Sequence, residues 1–213
     1  MKILVIGDTH GKLNKVREIF PKLKNIDLIA HTGDYFRDGE ALGKEFNIPV
    51  IAVRGNCDGS SSSSDFEIIR TEYGNILLTH GHMENVGYQL TTLMYKAMEN
   101  DCKAVLFGHT HCALVDECSG IHFVNPGSLT RPRDGSDGSY AVVRTSENSF
   151  DASVVYYSTI MGTNRRSSNS GFLRSILNYS DRFLCLALLL IIIVLKIRKR
   201  LLIKEQAFFV FSE

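Results

Sequence analysis

The first ten residues, MKILVIGDTH, join a short apolar run to a polar ending. Ile3–Ile6 has the composition of a buried strand, and Gly7, Asp8, Thr9 and His10 follow it directly. Four more apolar runs end in the same way, in the segments HTGD (31–34), RGNCD (54–58), THGH (79–82) and GHTH (108–111). Because ligands of open α/β sheets bind just outside the carboxyl ends of strands, these five endings predict one shared site.

The segments between these endings predict the fold class. Over the first 110 residues, short apolar runs alternate with amphipathic stretches, which is typical of an α/β domain. The apolar spacing predicts helices over Lys12–Lys24, Glu40–Phe46 and Val86–Asn100, and a hairpin between residues 66 and 79. After Gly108 the short strands and turns indicate antiparallel sheet. We therefore expect a sheet-rich sandwich flanked by helices.

Composition and charge exclude several classes of protein. The chain has 213 residues, 44% hydrophobic and 22% charged, which excludes a disordered chain and a polytopic membrane protein. The net charge of +1 hides a division, because residues 165–213 carry +6 and residues 1–164 carry −5. A net-acidic body gives no reason to expect stable nucleic-acid binding.

The residue types at the strand endings are those of a metal site. Asp8 with His10, and His109 with His111, stand two residues apart, so on an extended segment each pair points the same way. Imidazole, carboxylate and one amide suit Mn²⁺, Fe, Zn²⁺, Ni²⁺ or Co²⁺. Seven candidate ligands exceed what one tetrahedral ion needs, and two ions roughly 3.5–4 Å apart are suited to displacement at phosphorus.

Taken together, the five segments resemble the calcineurin-like metallophosphoesterase superfamily. The segments GNCD (55–58), NPGS (125–128) and RPR (131–133) are further similar to its compact bacterial and archaeal phosphodiesterase branch. The resemblance covers residues 1–158. It implies a four-layer α-β-β-α sandwich of two mixed β-sheets flanked by helices, and hydrolysis of a small phosphate ester by a hydroxide that bridges two metal ions.

The resemblance also implies a ligand for each position of a two-metal centre. One ion would be held by Asp8, His10 and His111. The other would be held by Asn56, His80 and His109, and Asp34 would bridge the two. Mn²⁺ is the first expectation for both ions, with Ni²⁺, Fe and Zn²⁺ left open because imidazole and carboxylate accept them all.

Three residues, one of them the candidate ligand Asn56, are expected to take part in catalysis. Asn56 can donate an amide hydrogen to a phosphate oxygen if its own oxygen faces the metal. Asp58 is expected to orient a metal-bound imidazole. Larger family members have histidine where this chain has Cys57, and a thiol is a poor general acid near neutral pH. His82 is the candidate for protonating the leaving group, with support of the site as its alternative role.

A second class of function stays open beside the enzyme. A scaffold subunit of the retromer coat resembles the same compact fold and uses it for protein binding, with an impaired metal centre. The integrity of the metal ligands distinguishes the two functions, and all seven candidate positions carry a competent donor here.

The rest of the chain divides at residue 158. Residues 159–182, rich in Gly, Ser, Asn and Arg, indicate a flexible linker, and residues 183–213 form an apolar and basic tail. Its apolar run is short for a membrane span, so three interpretations compete: membrane contact through residues 183–203, docking on a protein partner, or a tail not native to the domain. An odd number of cysteines without CxxC, and no leading signal sequence, favour a cytoplasmic location.

Overall fold

The computed structural model describes residues 1–59 and 63–163, and within them ten strands form two five-stranded sheets. The first sheet has the order β10-β9-β1-β2-β3. Its strands are β1 (Lys2–Ile6), β2 (Leu28–His31), β3 (Val50–Ala52), β9 (Ser139–Ser146) and β10 (Ser149–Tyr156). Strands β1, β2 and β3 are parallel, and β9 pairs antiparallel with both β1 and β10.

The second sheet also contains three adjacent parallel strands, but it has an antiparallel strand at each edge. Its strands are β4 (Phe66–Thr71), β5 (Gly74–Thr79), β6 (Cys102–Leu106), β7 (Ala113–Cys118) and β8 (Ile121–Pro126), in the order β4-β5-β6-β8-β7. Strands β5, β6 and β8 are parallel, and the two outer strands are antiparallel to their neighbours. Each sheet therefore brings the carboxyl ends of three parallel strands to one edge, which is where the polar segments lie.

Successive residues of a strand face opposite sides of its sheet, and this alternation forms two hydrophobic layers. Ile3 and Val5 pack into the core between the sheets, together with Ile76, Leu78 and other small aliphatic residues. Leu4 and the other alternate residues face the opposite side, where they contact the helices. The helices are α1 (Asn14–Ile19), α2 (Phe36–Phe46), α3 (Thr91–Glu99) and α4 (Tyr157–Met161). The predicted sandwich of two mixed β-sheets flanked by helices is confirmed.

Two of the three predicted helices are shorter than the sequence pattern indicated. The helix expected over Lys12–Lys24 ends at Ile19, and a 3-10 turn that contains Pro21 follows it. Proline has no N–H and so cannot continue the ladder of helical hydrogen bonds. The helix expected over Val86–Asn100 begins only at Thr91, because turns occupy residues 82–88.

The remaining predicted helix is longer than expected, since α2 begins at Phe36 rather than Glu40. The predicted boundary at residue 158 falls inside α4, and the predictions for the rest of the linker and for the tail lie outside the described residues. None of the helices in the described ranges is long and apolar enough to cross a membrane.

Candidate metal centre

The polar segments that follow β1, β2, β3, β5 and β6 meet at one edge of the sandwich. Their backbone is unusual, because most of the candidate ligands lie in the left-handed region of φ. These are Asp8 (φ 51°), His10 (φ 48°), Asp34 (φ 52°), His109 (φ 68°) and His111 (φ 58°). Non-glycine residues adopt this conformation rarely, and such strain concentrates at functional sites. The fold therefore holds these side chains in place at a local energetic cost.

The first group of donors contains four residues. One ligand atom from each of Asp8, His10, Asp34 and His111 lies within 4.8 Å of the others. The closest pairs are His111 Nε2 to Asp8 Oδ1 at 3.2 Å and His10 Nε2 to Asp34 Oδ2 at 3.7 Å. Asp8, Asp34 and His111 are buried, so water competes little for these atoms.

The second group lies on the other side of Asp34. Asn56 Oδ1 is 3.1 Å from His80 Nε2 and 3.1 Å from His109 Nδ1. His80 Nε2 is also 3.5 Å from Asp34 Oδ1. The two carboxylate oxygens of Asp34 thus face different histidines, Oδ2 towards His10 and Oδ1 towards His80. This is the position expected of a carboxylate shared between two ions.

Backbone carbonyl groups fix which ring nitrogen of His80 and of His111 carries hydrogen. His80 Nδ1 lies 2.9 Å from the Thr32 carbonyl oxygen, and His111 Nδ1 lies 2.7 Å from that of Arg131. A carbonyl oxygen only accepts, so each Nδ1 is the donor and a neutral ring turns an unprotonated Nε2 towards the centre. A hydrogen bond from the other ring nitrogen is the usual support of a metal-bound histidine.

Electrostatics favour the cation-binding forms of three other groups, His10, His109 and Asp34. Burial lowers the pKa of His10, and Arg131 lowers it further, while burial and His80 lower the pKa of His109. Burial alone would raise the pKa of Asp34, but the hydrogen bond from the Cys57 amide, with His80 close by, outweighs it, so the net shift is downward. These shifts favour neutral imidazoles at His10 and His109 and an ionised carboxylate at Asp34, the forms that bind a cation.

Two buried atoms of the first group that have no hydrogen-bond partner among the described residues indicate whether a cation fits there. Asp8 Oδ1 and His10 Nε2 are buried and have no hydrogen bond among the described residues. A buried acceptor without a partner is costly, and an ion is one of the accepted explanations for it. Burial lowers the pKa of His111, yet the Asp8 carboxylate outweighs it and raises the pKa overall, so positive charge is favoured here. The donor set therefore fits a divalent metal.

Glycine is required where the segments crowd together. A Cβ atom on Gly55 would lie 2.2 Å from Asp34 Oδ1, and one on Gly108 would lie 2.8 Å from Asp8 Oδ2. Any other residue at these positions would displace the carboxylates. The glycines that punctuate the polar segments thus allow the backbone to approach the donors closely.

The two residues considered for proton transfer lie beside the second group. The His82 ring is 5.2 Å from that of His80 and 6.2 Å from that of His109, and burial lowers its pKa. Its Nδ1 is buried and has no hydrogen-bond partner in the part of the chain that the structure describes. Burial, with Asp34 next, raises the pKa of Cys57 to about 11, which leaves the thiol un-ionised at neutral pH.

Asp58 differs from its expected role. Its Oδ1 accepts hydrogen bonds from the backbone N–H groups of Tyr35 (2.7 Å) and Phe36 (3.1 Å), and its Oδ2 accepts one from Gly55 (2.7 Å). None of its hydrogen bonds within the described residues is to an imidazole. Asp58 instead ties the segment after β2 to the segment after β3 and supplies acceptors at the start of α2, which explains the early start of that helix.

Sequence reasoning missed a buried network beneath the first group. Thr9 Oγ1 donates to Asp38 Oδ2 (2.7 Å) and accepts from His31 Nε2 (3.2 Å). Asp38 Oδ2 also accepts from the N–H of Gly11 (2.8 Å), so it fixes the segment on both sides of His10. No spacing in the sequence points to Asp38, because it lies on a helix and approaches this segment only in the folded chain.

His31 makes the stability of the fold depend on pH. It is fully buried, and burial lowers its pKa to about 4 from an ordinary 6.5. Between those values the unfolded chain binds a proton that the folded chain does not, so stability falls as the pH falls through this window. We expect wild-type protein in chelator to lose about 2 kcal/mol from this group between about pH 7.5 and pH 5.

The measurement is urea unfolding of the wild type and of His31→Gln at both pH values. The variant lacks the titrating group, so its loss between the two pH values should be smaller by about 2 kcal/mol. Equal losses in the two proteins would contradict the assignment to His31.

The chain is similar to known phosphoesterases. The family model of the calcineurin-like phosphoesterase superfamily domain matches residues 1–148. The chain is 32% identical over 158 residues to "Probable metallophosphoesterase YsnB" of Bacillus subtilis, covering 74% of this chain and 90% of that protein. It is 28% identical over 171 residues to "Phosphodiesterase YfcE" of Escherichia coli K12, covering 67% and 87%.

Solved structures agree on the fold. The crystal structure of a predicted phosphoesterase from Streptococcus pneumoniae TIGR4 matches with a TM-score of 0.64 and 26% identity, covering 74% of this chain and 90% of that one. A Vps29 single mutant from Entamoeba histolytica matches with a TM-score of 0.59 and 23% identity, covering 73% and 99%. At that identity the Vps29 similarity shows the fold alone.

Proposed function

Because the chain belongs to the calcineurin-like phosphoesterase superfamily, we propose that it is a dinuclear metal-dependent phosphodiesterase that hydrolyses a small phosphate ester. The observation that carries the proposal is the placement of Asp34. One of its carboxylate oxygens lies 3.7 Å from His10 Nε2 and the other lies 3.5 Å from His80 Nε2. Two groups of donors that share one carboxylate have the arrangement that a pair of cations requires.

The proposed ligands follow the two groups. Asp8, His10 and His111 would hold one ion, Asn56, His80 and His109 would hold the other, and Asp34 would serve both. Such ions, when bound, neutralise charge on phosphoryl oxygens and lower the pKa of water. Mn²⁺ is our first choice, and Ni²⁺, Fe and Zn²⁺ are compatible with the same donors.

The protein's own residues would position the substrate. Asn56 turns its oxygen towards His80 and His109, which leaves its Nδ2 on the opposite side, 3.4 Å from Cys57 Sγ. That amide is free to donate to a phosphate oxygen in place of the weak contact with sulfur. Such a hydrogen bond would hold the phosphoryl group against the centre and stabilise its developing charge.

His82 is the proposed donor of the proton that the leaving oxygen takes up. Its partnerless Nδ1 and its position beside the second group support this role. Cys57 is the less suitable donor, because a thiol whose pKa is raised to about 11 gives up its proton reluctantly. We therefore expect esters with good leaving groups, which need little protonation, to be the better substrates.

Hydrolysis by metal-stripped full-length protein tests the proposal. Bis-nitrophenyl phosphate and nitrophenyl phosphate are supplied with Mn²⁺, Ni²⁺, Fe²⁺ or Zn²⁺ restored one at a time. We expect a metal-dependent rate that is higher for the diester than for the monoester. A faster monoester reaction would correct the substrate class while keeping the metal centre.

The same experiment decides the second candidate, a non-catalytic protein-binding scaffold on the same fold. The similarity to Vps29 keeps this alternative open at the level of fold. The presence of all seven donors at one edge of the sandwich favours the enzyme. Absence of a metal-dependent rate on either ester would favour the scaffold. A cytoplasmic location, and membrane contact through residues 183–203, stay predictions.

A further inference from the structure

A basic pocket lies beside the candidate metal centre. It has a volume of about 520 Å³ and is lined by Gly11, Lys12, Lys15, Arg17 and Thr130, with no carboxylate side chain among its lining residues. Lys12 and Arg17 are exposed and Lys15 is half-buried. The volume falls in the range of small-molecule sites. We call it the basic pocket.

Two of its three positive charges form no ion pair with a carboxylate of the described residues. Arg17 forms a bidentate ion pair with Glu45. Its Nε and Nη2 atoms each lie 2.9 Å from a carboxylate oxygen of Glu45, so the positive charge of Arg17 is offset. Lys15 donates to the Asp137 carbonyl oxygen and lies 4.7 Å from the centre of the Tyr157 ring, contacts that orient the ammonium group without neutralising it.

The Lys12 ammonium group makes fewer contacts than that of Lys15. It has no hydrogen bond and no ion pair with any residue of the described ranges. A lysine without a partner is a strongly hydrated point charge on a flexible stem, and it can reach an anion that enters the pocket. The pocket thus presents two positive charges to a ligand.

The pocket and the metal centre share a wall. Gly11 directly follows His10, and the N–H of Lys12 donates to the Thr9 carbonyl oxygen (3.1 Å). Thr130 Oγ1 lies 3.1 Å from the carbonyl oxygens of both Asp8 and Thr9. The segment that carries the candidate ligands Asp8 and His10 therefore continues directly into the wall of the pocket. A ligand held in the pocket would lie next to a phosphate held at the centre.

We propose that the basic pocket binds a second anionic group of the substrate, a phosphate or carboxylate, while the ester to be cleaved lies at the metal centre. This inference rests on the proposed phosphodiesterase function and narrows its substrate class. The substrate would be a phosphodiester whose one arm carries an additional negative charge. Two ammonium groups without an ion pair among the described residues favour such an arm over a neutral one.

Two esters that differ only in this arm test the proposal. They are nitrophenyl ethyl phosphate and nitrophenyl 2-phosphonoethyl phosphate, in which the phosphonate cannot be cleaved as an ester. With full-length Mn²⁺-loaded protein we expect KM for the phosphonate ester to be about tenfold lower, since a hydrogen bond to a charged group has that order of effect. The kcat values should be similar because both esters share one leaving group.

Variants locate the effect. Lys12→Gln should remove most of the preference for the phosphonate ester and leave the ethyl ester unchanged, and Lys15→Gln should reduce the preference. Lys44→Gln is the matched control. Lys44 lies in the last turn of α2, so this substitution removes the same charge at a different place on the surface. No preference in the wild type, or a preference that survives the Lys12→Gln/Lys15→Gln double variant, would overturn the proposal.

A binding measurement separates this inference from the proposed function. Inorganic phosphate is titrated into metal-stripped full-length protein, and the amide NMR signals of Gly11 and Lys12 are followed. We expect saturable shifts that weaken about tenfold in the double variant and persist in Lys44→Gln. Should neither ester be hydrolysed, the phosphodiesterase function fails and this titration alone decides whether the pocket binds anions. Phosphate binding without a KM preference would show a site for a free anion and overturn the substrate assignment.

Discussion

Asp34→Asn is expected to lower kcat/KM for a nitrophenyl phosphodiester by at least about 10³-fold, because it removes the one carboxylate that both groups of donors share. Asparagine keeps the size of the side chain but loses its charge. It also places an amide nitrogen where Asp34 now turns an oxygen to His10 or to His80. The change therefore weakens the attraction for both cations at once.

Asp151→Asn is the matched control for this variant. Asp151 is exposed on β10 and pairs with Arg144, also exposed (3.1 Å), so the same chemical change removes only a surface ion pair. Its kcat/KM should stay within about twofold of wild type. A rate for Asp34→Asn within about tenfold of wild type would contradict the bridging position.

Asn56→Ala and His109→Ala are each expected to lower kcat/KM by at least about 10²-fold. Both remove a donor from the second group, where Asn56 Oδ1 lies 3.1 Å from a nitrogen of His109. Asn56→Ala also removes the amide proposed to hold a phosphate oxygen. We expect it to raise KM in addition to lowering kcat, whereas His109→Ala should act mainly on kcat at saturating metal.

The controls are Asn148→Ala, in the exposed turn between β9 and β10, and His122→Ala, on β8. His122 hydrogen-bonds with Tyr73 and stacks on Phe150, outside both donor groups. Both controls should hydrolyse the diester at rates near that of wild type. Near-normal rates for Asn56→Ala and His109→Ala together would remove the second group from the proposed centre.

The strand endings were predictable from sequence because each combines two independent signals. An apolar run of strand length is followed by glycine and by metal-binding residue types, and parallel strands bring such endings to a common edge. Periodicity was less informative for helices. The apolar spacing does not reveal that Pro21 ends the first helix or that turns occupy residues 82–88 before the third.

The roles of the supporting residues could not be read from spacing. Asp58 was expected to orient an imidazole, yet it accepts backbone N–H groups from Tyr35, Phe36 and Gly55. The hydrogen-bond partners of this carboxylate depend on left-handed turns that bend the segments. Such turns in non-glycine residues cannot be predicted from the sequence. Asp38 was missed for the related reason that its partners come from a different segment.

Metal stoichiometry tests the central claim most directly. Metal-stripped full-length protein is dialysed to equilibrium against Mn²⁺, and the metal bound per chain is measured for the wild type and for Asp34→Asn. The arrangement of donors predicts two ions per wild-type chain and a marked loss of both in the variant, because Asp34 would serve the two sites together. A wild-type chain that binds no ion, or two ions that Asp34→Asn leaves in place, would contradict it.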